Sequence, residues 1–236
     1  MNRTPGWGRL DTVSVAGIAV FSAIALIFGA FSQGLGLNFP IIPYLQFDFG
    51  EVAIVLAFFI FGPLPAIVAS FAEFGGLMAF GQQIPVGPFL KLFALLATVL
   101  GLWAGAKLAS KVGTPALPRL VGSGALAAAV FRGVVLTVPN FYLLEFYYSP
   151  ATIQGLVKYV LQPSFSLVGV GVTAGNFLVP VLIFTAIFNV LQLALVMAVS
   201  YAVLRVPLVA QIKVGGRIPW FATVLRGSGP PSEPLR

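Results

Sequence analysis

Long apolar runs, broken by short segments rich in Gly and Pro, organise this chain from residue 12 to residue 204. A helix crosses a bilayer with about 20 apolar residues, roughly 17–25 depending on tilt. The pattern predicts membrane spans at 12–31, 50–61, 66–80, 86–109, 120–144 and 175–204. The second run is short and stops at Gly62-Pro63-Leu64-Pro65, which reads as a tight turn. The loop 32–47 carries Gly34, Gly36, Pro40 and Pro43 and contains no Lys or Arg. Gly81-Gln82-Gln83-Ile84-Pro85 separates the third run from the fourth. A long connection, 145–174, contains Ser149-Pro150, an N-cap followed by proline at the first helical position. It predicts a short interfacial helix over 151–161, ending before Gln162-Pro163.

The expected fold class is therefore an all-α integral membrane protein. A bundle of six transmembrane helices occupies 1–205, followed by a basic tail over 206–236 in which 227–234 is expected to be disordered. The first run has the length of a span and lacks a clear small-residue cleavage site, so it reads as a retained helix.

Composition strengthens this reading. Hydrophobic residues make up 59% of the chain and charged ones 8%, with a mean hydropathy of +1.03. A soluble domain carries about 25% charged residues. The net charge of +7 would hint at nucleic acid in a soluble protein, but here its distribution points to a membrane. Arg3, Arg9, Lys107, Lys111, Arg119, Arg205, Lys213, Arg217, Arg226 and Arg236 fall on one side of the predicted topology, against Lys158 on the other. Basic residues collect on the cytoplasmic side, which places both termini there and the chain in the cell membrane. With no cysteine and no histidine, disulfides, thiolate chemistry, haem and the usual zinc sites are excluded.

Polar groups inside the apolar runs are the candidate chemistry, because burying an ionisable group at mid-membrane costs about 2.5–3.5 kcal/mol on insertion scales. Ser70 and Glu73 share a face of the third run, Lys91 lies in the fourth, and Arg132 and Asn140 share a face of the fifth. Thr185, Asn189 and Gln192 follow the same spacing in the sixth. These stripes imply either interhelical bonding, with a Glu73–Lys91 or Glu73–Arg132 ion pair, or a polar cavity opening outward. Asp48 and Glu51 stand at the start of the second run with the spacing of a capping box. They can cap that helix, contact a ligand, or do both. Tyr44, Phe47 and Phe49 beside them suit an interfacial belt or a lid over a flat ligand.

Ala19 and Ala23 in the first run form a small-xxx-small pattern that lets another helix approach closely. No nucleophile–base pair, metal cluster or phosphate loop is present in the sequence, so the chain reads as a non-enzyme. Uphill transport would draw on an ion gradient or on a partner.

Several short motifs, in order, carry a family resemblance. They are Phe47-Asp48-Phe49 with Glu51 and Phe61-Gly62-Pro63, then Ile84-Pro85-Val86-Gly87-Pro88 with Phe93-Ala94, then Val138-Pro139-Asn140-Phe141, and finally Phe188-Asn189. Together, over residues 12–205, they resemble the substrate-binding S components of energy-coupling factor (ECF) vitamin transporters, and within them the riboflavin type. The resemblance implies six helices with cytoplasmic termini and a pocket near the outer face, capped by the loop after the first helix. It implies that Tyr44, Phe47, Asp48, Glu73, Lys91, Asn140, Asn189 and Gln192 bind riboflavin or a related flavin. Riboflavin would be cargo, and no cofactor is implied. Ala19 and Ala23 would dock on a membrane coupling subunit driven by two ATPase subunits. Departures from the family pattern fall at Gln192, Lys91 and the Phe-Gly-Gly after Glu73, where a ligand's polar edges would be read. A pyrimidine, a pterin or a carboxylated vitamin is the alternative cargo. An autonomous ion-coupled carrier is the alternative mechanism.

Overall fold

The computed structural model describes residues 6–80, 85–144, 149–206 and 213–226. Arg3, the segment 81–84 with Ile84 of its motif, Glu145, Arg236 and the tail stretch 227–234 lie outside the described residues.

Each of the six apolar runs forms a helix. They are α1 (Thr12–Gly34), α2 (Gly50–Phe61), α3 (Pro63–Phe80), α4 (Val86–Lys111), α5 (Leu117–Tyr142) and α8 (Leu178–Leu204). Five are long and apolar enough to cross a membrane. The exception is α2, whose 12 residues reach about 18 Å at the usual rise, short of the roughly 30 Å hydrocarbon layer. Its sides touch protein instead, and the run from Gly50 to Val55 is buried throughout. This central position explains why α2 is apolar all round rather than on one stripe.

The turn expected at Gly62–Pro65 is tighter than the sequence implies. Gly62 has φ 101°, a left-handed conformation that favours glycine. Pro63 then starts α3 directly, its fixed φ suiting a first helical position.

Two connections differ from expectation. The loop before α2 contains an antiparallel hairpin, β1 (Asn38–Phe39) and β2 (Ile42–Gln46). Its two strands tolerate Pro43 because a ribbon this narrow leaves N–H positions unpaired. The interfacial helix begins where expected, with Ser149 Oγ accepting from Thr152 N at 3.2 Å, but it does not stop at Pro163. It runs as α6 (Pro150–Leu156), a π-helical turn (Val157–Leu161) and α7 (Gln162–Ser166). The wider π turn lies where the Pro163 ring would otherwise meet the carbonyl four residues back.

Two apolar clusters result. One fills the bundle around α2, with Phe58, Phe59, Leu95, Val99, Leu102 and Val196. The other joins the hairpin, α6–α7 and the start of α8 through Phe39, Ile42, Leu161, Phe165 and Phe188. The tail is more than a basic extension. A short helix, α9 (Trp220–Arg226), buries Trp220, Phe221 and Ala222 in the bundle cluster. Trp220 stacks edge-on against Phe58 and donates from Nε1 to Gly6 O at 3.0 Å, while Arg217 pairs with the α1 cap Asp11.

Close packing of α4 on α5 fixes the wall that carries Lys91 and Arg132. A Cβ at Gly105 would come within 2.3 Å of Ser123 O and 2.6 Å of the Gly124 backbone. Gly105→Ala is therefore expected to cost about 1–3 kcal/mol through overpacking. The thermal midpoint in detergent checks this, and an unchanged midpoint would mean that the helices separate freely.

Candidate ligand-binding site

The site lies where the hairpin end of the bundle meets the second apolar cluster. Its anchor is Asp48, the residue that leads from β2 into α2. Asp48 Oδ1 accepts from Gly50 N at 2.6 Å, and Oδ2 meets Lys91 Nζ at 2.5 Å. Its backbone is gripped from α8: Asp48 N donates to Gln192 Oε1 at 3.2 Å, and Gln192 Nε2 donates to Asp48 O at 2.6 Å. Phe49 N donates to Ser32 Oγ on α1 at 3.0 Å. Three elements thus hold two consecutive residues of the hairpin-to-helix join.

Half of the capping expectation survives. The Asp48 carboxylate does satisfy a free N–H at the start of α2. Glu51 does not reach back to complete a capping box, because Arg132 has claimed it. Arg132 Nη1 lies 2.6 Å from Glu51 Oε2, and Nη2 lies 2.9 Å from Oε1. This forked, two-bond geometry is the strong form of an Arg–carboxylate pair. The same guanidinium donates from Nε to Asn189 Oδ1 at 3.0 Å and from Nη1 to Thr98 Oγ1 at 3.4 Å. Arg132 is 3% exposed and Glu51 4% exposed, so the pair is buried.

Of the two ion pairs left open for Glu73, Lys91 is the partner: Lys91 Nζ lies 2.5 Å from Glu73 Oε1. The ammonium therefore bridges the hairpin-to-α2 join, through Asp48, to α3, through Glu73. Glu73 Oε2 is buried without a hydrogen-bond partner among the described residues.

A cavity of about 370 Å³ opens beside these pairs. Tyr44, Asp48, Lys91, Asn140 and Asn189 of the expected binding set line it. Glu51, Arg132, Thr185, Phe188 and Leu136 line it as well and were not in that set. A smaller recess of about 130 Å³ shares Tyr44, Asp48 and Lys91 and adds Phe47, Ser32 and Gln33. Phe47 thus backs the large cavity, stacking on Phe188 with ring centroids 5.2 Å apart, with Phe39 completing the cluster. Glu73 and Gln192 line neither space. Their work is structural to the site: Glu73 holds Lys91, and Gln192 holds the Asp48 backbone.

The signal for the missed pair was present in the sequence. An Arg in the middle of α5 and a Glu in the first turn of α2 are each costly alone, and that cost requires partners. Ala19 and Ala23 are both exposed, on the outward face of α1.

No family model matches the chain. Over 130 residues it is 31% identical to the riboflavin transporter RibU of Staphylococcus aureus (strain TCH60), an alignment covering 54% of this chain and 62% of the relative. The match thus spans less than two thirds of that relative's length. Among solved structures, an S component of a bacterial ECF transporter superposes with a TM-score of 0.55 at 22% identity, covering 81% of this chain and 93% of the other. Both comparisons return the resemblance read from the motifs. This chain is a multi-pass cell-membrane protein with the fold of an ECF-transporter S component and a sequence similar to a riboflavin transporter.

Proposed function

We propose that the chain is the substrate-capturing subunit of an ECF-type importer and that it holds riboflavin or a related flavin in the large cavity. The observation that carries this is a 370 Å³ space walled by apolar side chains with a few placed carboxamides and an aromatic lid, on a fold shared with S components. Ligand sites of this kind run from about 300 to 1,000 Å³ and are mostly apolar. A flat ring with a polar edge suits both the size and the lining.

Charge favours a neutral ligand over a carboxylated vitamin. Within the apolar runs of the sequence, Lys91 and Arg132 outnumber Glu73, an excess that would draw an anion. In the fold, Asp48, Glu51 and Glu73 all contact those two cations. An added carboxylate would have to compete with carboxylates already seated there.

The finer topology belongs to the same proposal: six membrane segments, both termini cytoplasmic, and the cavity facing outward. Arg9, Lys107, Lys111, Arg119, Arg205 and Arg217 all lie at the end of the bundle opposite the hairpin, which agrees with the positive-inside rule. Ala19 and Ala23 would receive the coupling subunit, and two ATPases would supply the energy.

Purification followed by a visible absorption spectrum tests the ligand. A co-purifying flavin gives a yellow sample with blue-region bands. A colourless protein that also leaves added riboflavin fluorescence unquenched would remove flavin from the reading. Ala19→Trp with Ala23→Trp tests the docking face separately. Uptake in cells is expected to be lost while riboflavin binding by the purified subunit stays intact, and lost binding would make the face an internal packing surface.

A further inference from the structure

Arg132 does more than neutralise Glu51. Its guanidinium has five N–H donors and no acceptor. Two of its nitrogens are committed to the Glu51 fork, and the third, Nε, meets the side chain of Asn189 at 3.0 Å. A donor can face only the oxygen of a carboxamide, so Asn189 must turn Oδ1 toward Arg132. The other end is fixed by the same logic. Asn189 Nδ2 lies 2.9 Å from Thr185 O, a backbone carbonyl that can only accept. Which atom of an amide points where is ordinarily a matter of assignment, but here a pure donor on one side and a pure acceptor on the other leave one orientation.

The consequence lies at the cavity. Asn189 lines it and is 8% exposed. Arg132 Nε takes one lone pair of its oxygen and Thr185 takes one Nδ2 hydrogen, which leaves the second Nδ2 hydrogen as its uncommitted donor. We infer that Arg132, clamped by Glu51, is a positioning residue that fixes the orientation of the Asn189 amide, so that its remaining Nδ2 hydrogen is held ready for a ligand edge bearing an acceptor such as a ring carbonyl or ring nitrogen. This rests on the large cavity being the ligand site. It also gives the buried pair a role that packing alone does not require, since a buried ion pair is often replaceable by apolar residues without loss of stability.

Arg132 stands apart from the other cation of the site in this respect. Lys91 contacts two carboxylates, Asp48 and Glu73, and orients no carboxamide among the described contacts.

The test is a double-mutant cycle on riboflavin affinity, read by fluorescence quenching, with thermal midpoints recorded alongside. Asn189→Ala in the native background is expected to weaken binding roughly tenfold, the worth of one hydrogen bond to a buried group. Arg132→Lys keeps the charge opposite Glu51 but loses the Nε donor, so it is expected to weaken binding by a similar factor. In the Arg132→Lys background, Asn189→Ala should then cost less than about threefold, because the carboxamide is no longer held. Factors that simply multiply would overturn the inference. Glu51→Gln, which loosens the fork with little change in volume, is the second route to the same cycle if Arg132→Lys does not fold.

A ligand-free readout accompanies it. With 15N-asparagine labelling, the side-chain NH2 signal of Asn189, identified by its loss in Asn189→Ala, is expected to shift and broaden in Arg132→Lys or Glu51→Gln. An unmoved signal would overturn the positioning role. A native protein that binds no riboflavin but shows this shift would sink the flavin reading and leave the positioning role standing.

Discussion

Glu51→Ala is expected to destabilise the folded bundle by about 3–5 kcal/mol, the largest effect of any single substitution considered for this chain. Removing the carboxylate leaves the Arg132 guanidinium, 3% exposed in the native fold, with two donors that have lost their charged acceptor. The penalty is that of the stranded charge rather than the worth of the pair. A second substitution separates these two quantities. Glu51→Ala combined with Arg132→Met removes both charges and is expected to recover most of the lost stability while leaving ligand binding weak. Thermal unfolding in detergent, followed by intrinsic fluorescence, reads the first effect, and riboflavin quenching the second. If Glu51→Ala melts with the native protein, the fork contributes nothing to the fold.

The second large effect is expected at Lys91. Lys91→Met keeps the volume but removes the ammonium that lies 2.5 Å from both Asp48 and Glu73. Two carboxylates then lie near each other without the cation between them, and repulsion acts on the less buried one. Glu73 sits inside α3 and is fully buried, whereas Asp48 belongs to the hairpin join. The lid should therefore loosen before the bundle does. Hydrogen bonds to charged groups are worth about 1.5–3 kcal/mol each, so ligand release is expected to quicken about 10–100-fold. Stopped-flow dissociation of riboflavin measures it. Glu73→Gln added to Lys91→Met relieves the repulsion and should restore part of the retention. A native release rate in Lys91→Met would show that the lid is held by Gln192 and Ser32 without the ion pair.

The helices of this protein were legible because lipid makes apolar length a direct code. Each of the six runs begins within three residues of its expected start. The partners of its charges were not legible in the same way. Arg132 and Glu51 are 81 residues apart, and helical periodicity says which face a residue occupies without saying what that face meets. Glu73 therefore had two possible partners on paper, and Glu51 had a cap or a ligand contact as its readings, with no cation named for it. Gln192 illustrates the same limit. Its spacing from Asn189 placed it correctly on the polar stripe, but three residues along α8 is enough to move it from the cavity wall to the Asp48 backbone. The hairpin was hidden because strands of two and five residues, interrupted by prolines, carry almost no alternation. α9 was hidden by its length: seven residues are too few for a period, and its place is set by the burial of Trp220, Phe221, Ala222 and Val224.

That short helix also constrains the order in which the molecule can be assembled. The bond from Trp220 to Gly6 joins residues 214 positions apart, and the pairing of Arg217 with Asp11 closes the same loop. Contacts of such separation form late, after the intervening chain has been ordered. During synthesis, α1 and α2 leave the ribosome long before residue 220 exists. Phe58, which Trp220 covers, is therefore inserted with that side open until residue 220 has been made. The contacts that tie residues 217–220 to residues 6–11 thus close around a bundle whose earlier helices are already made.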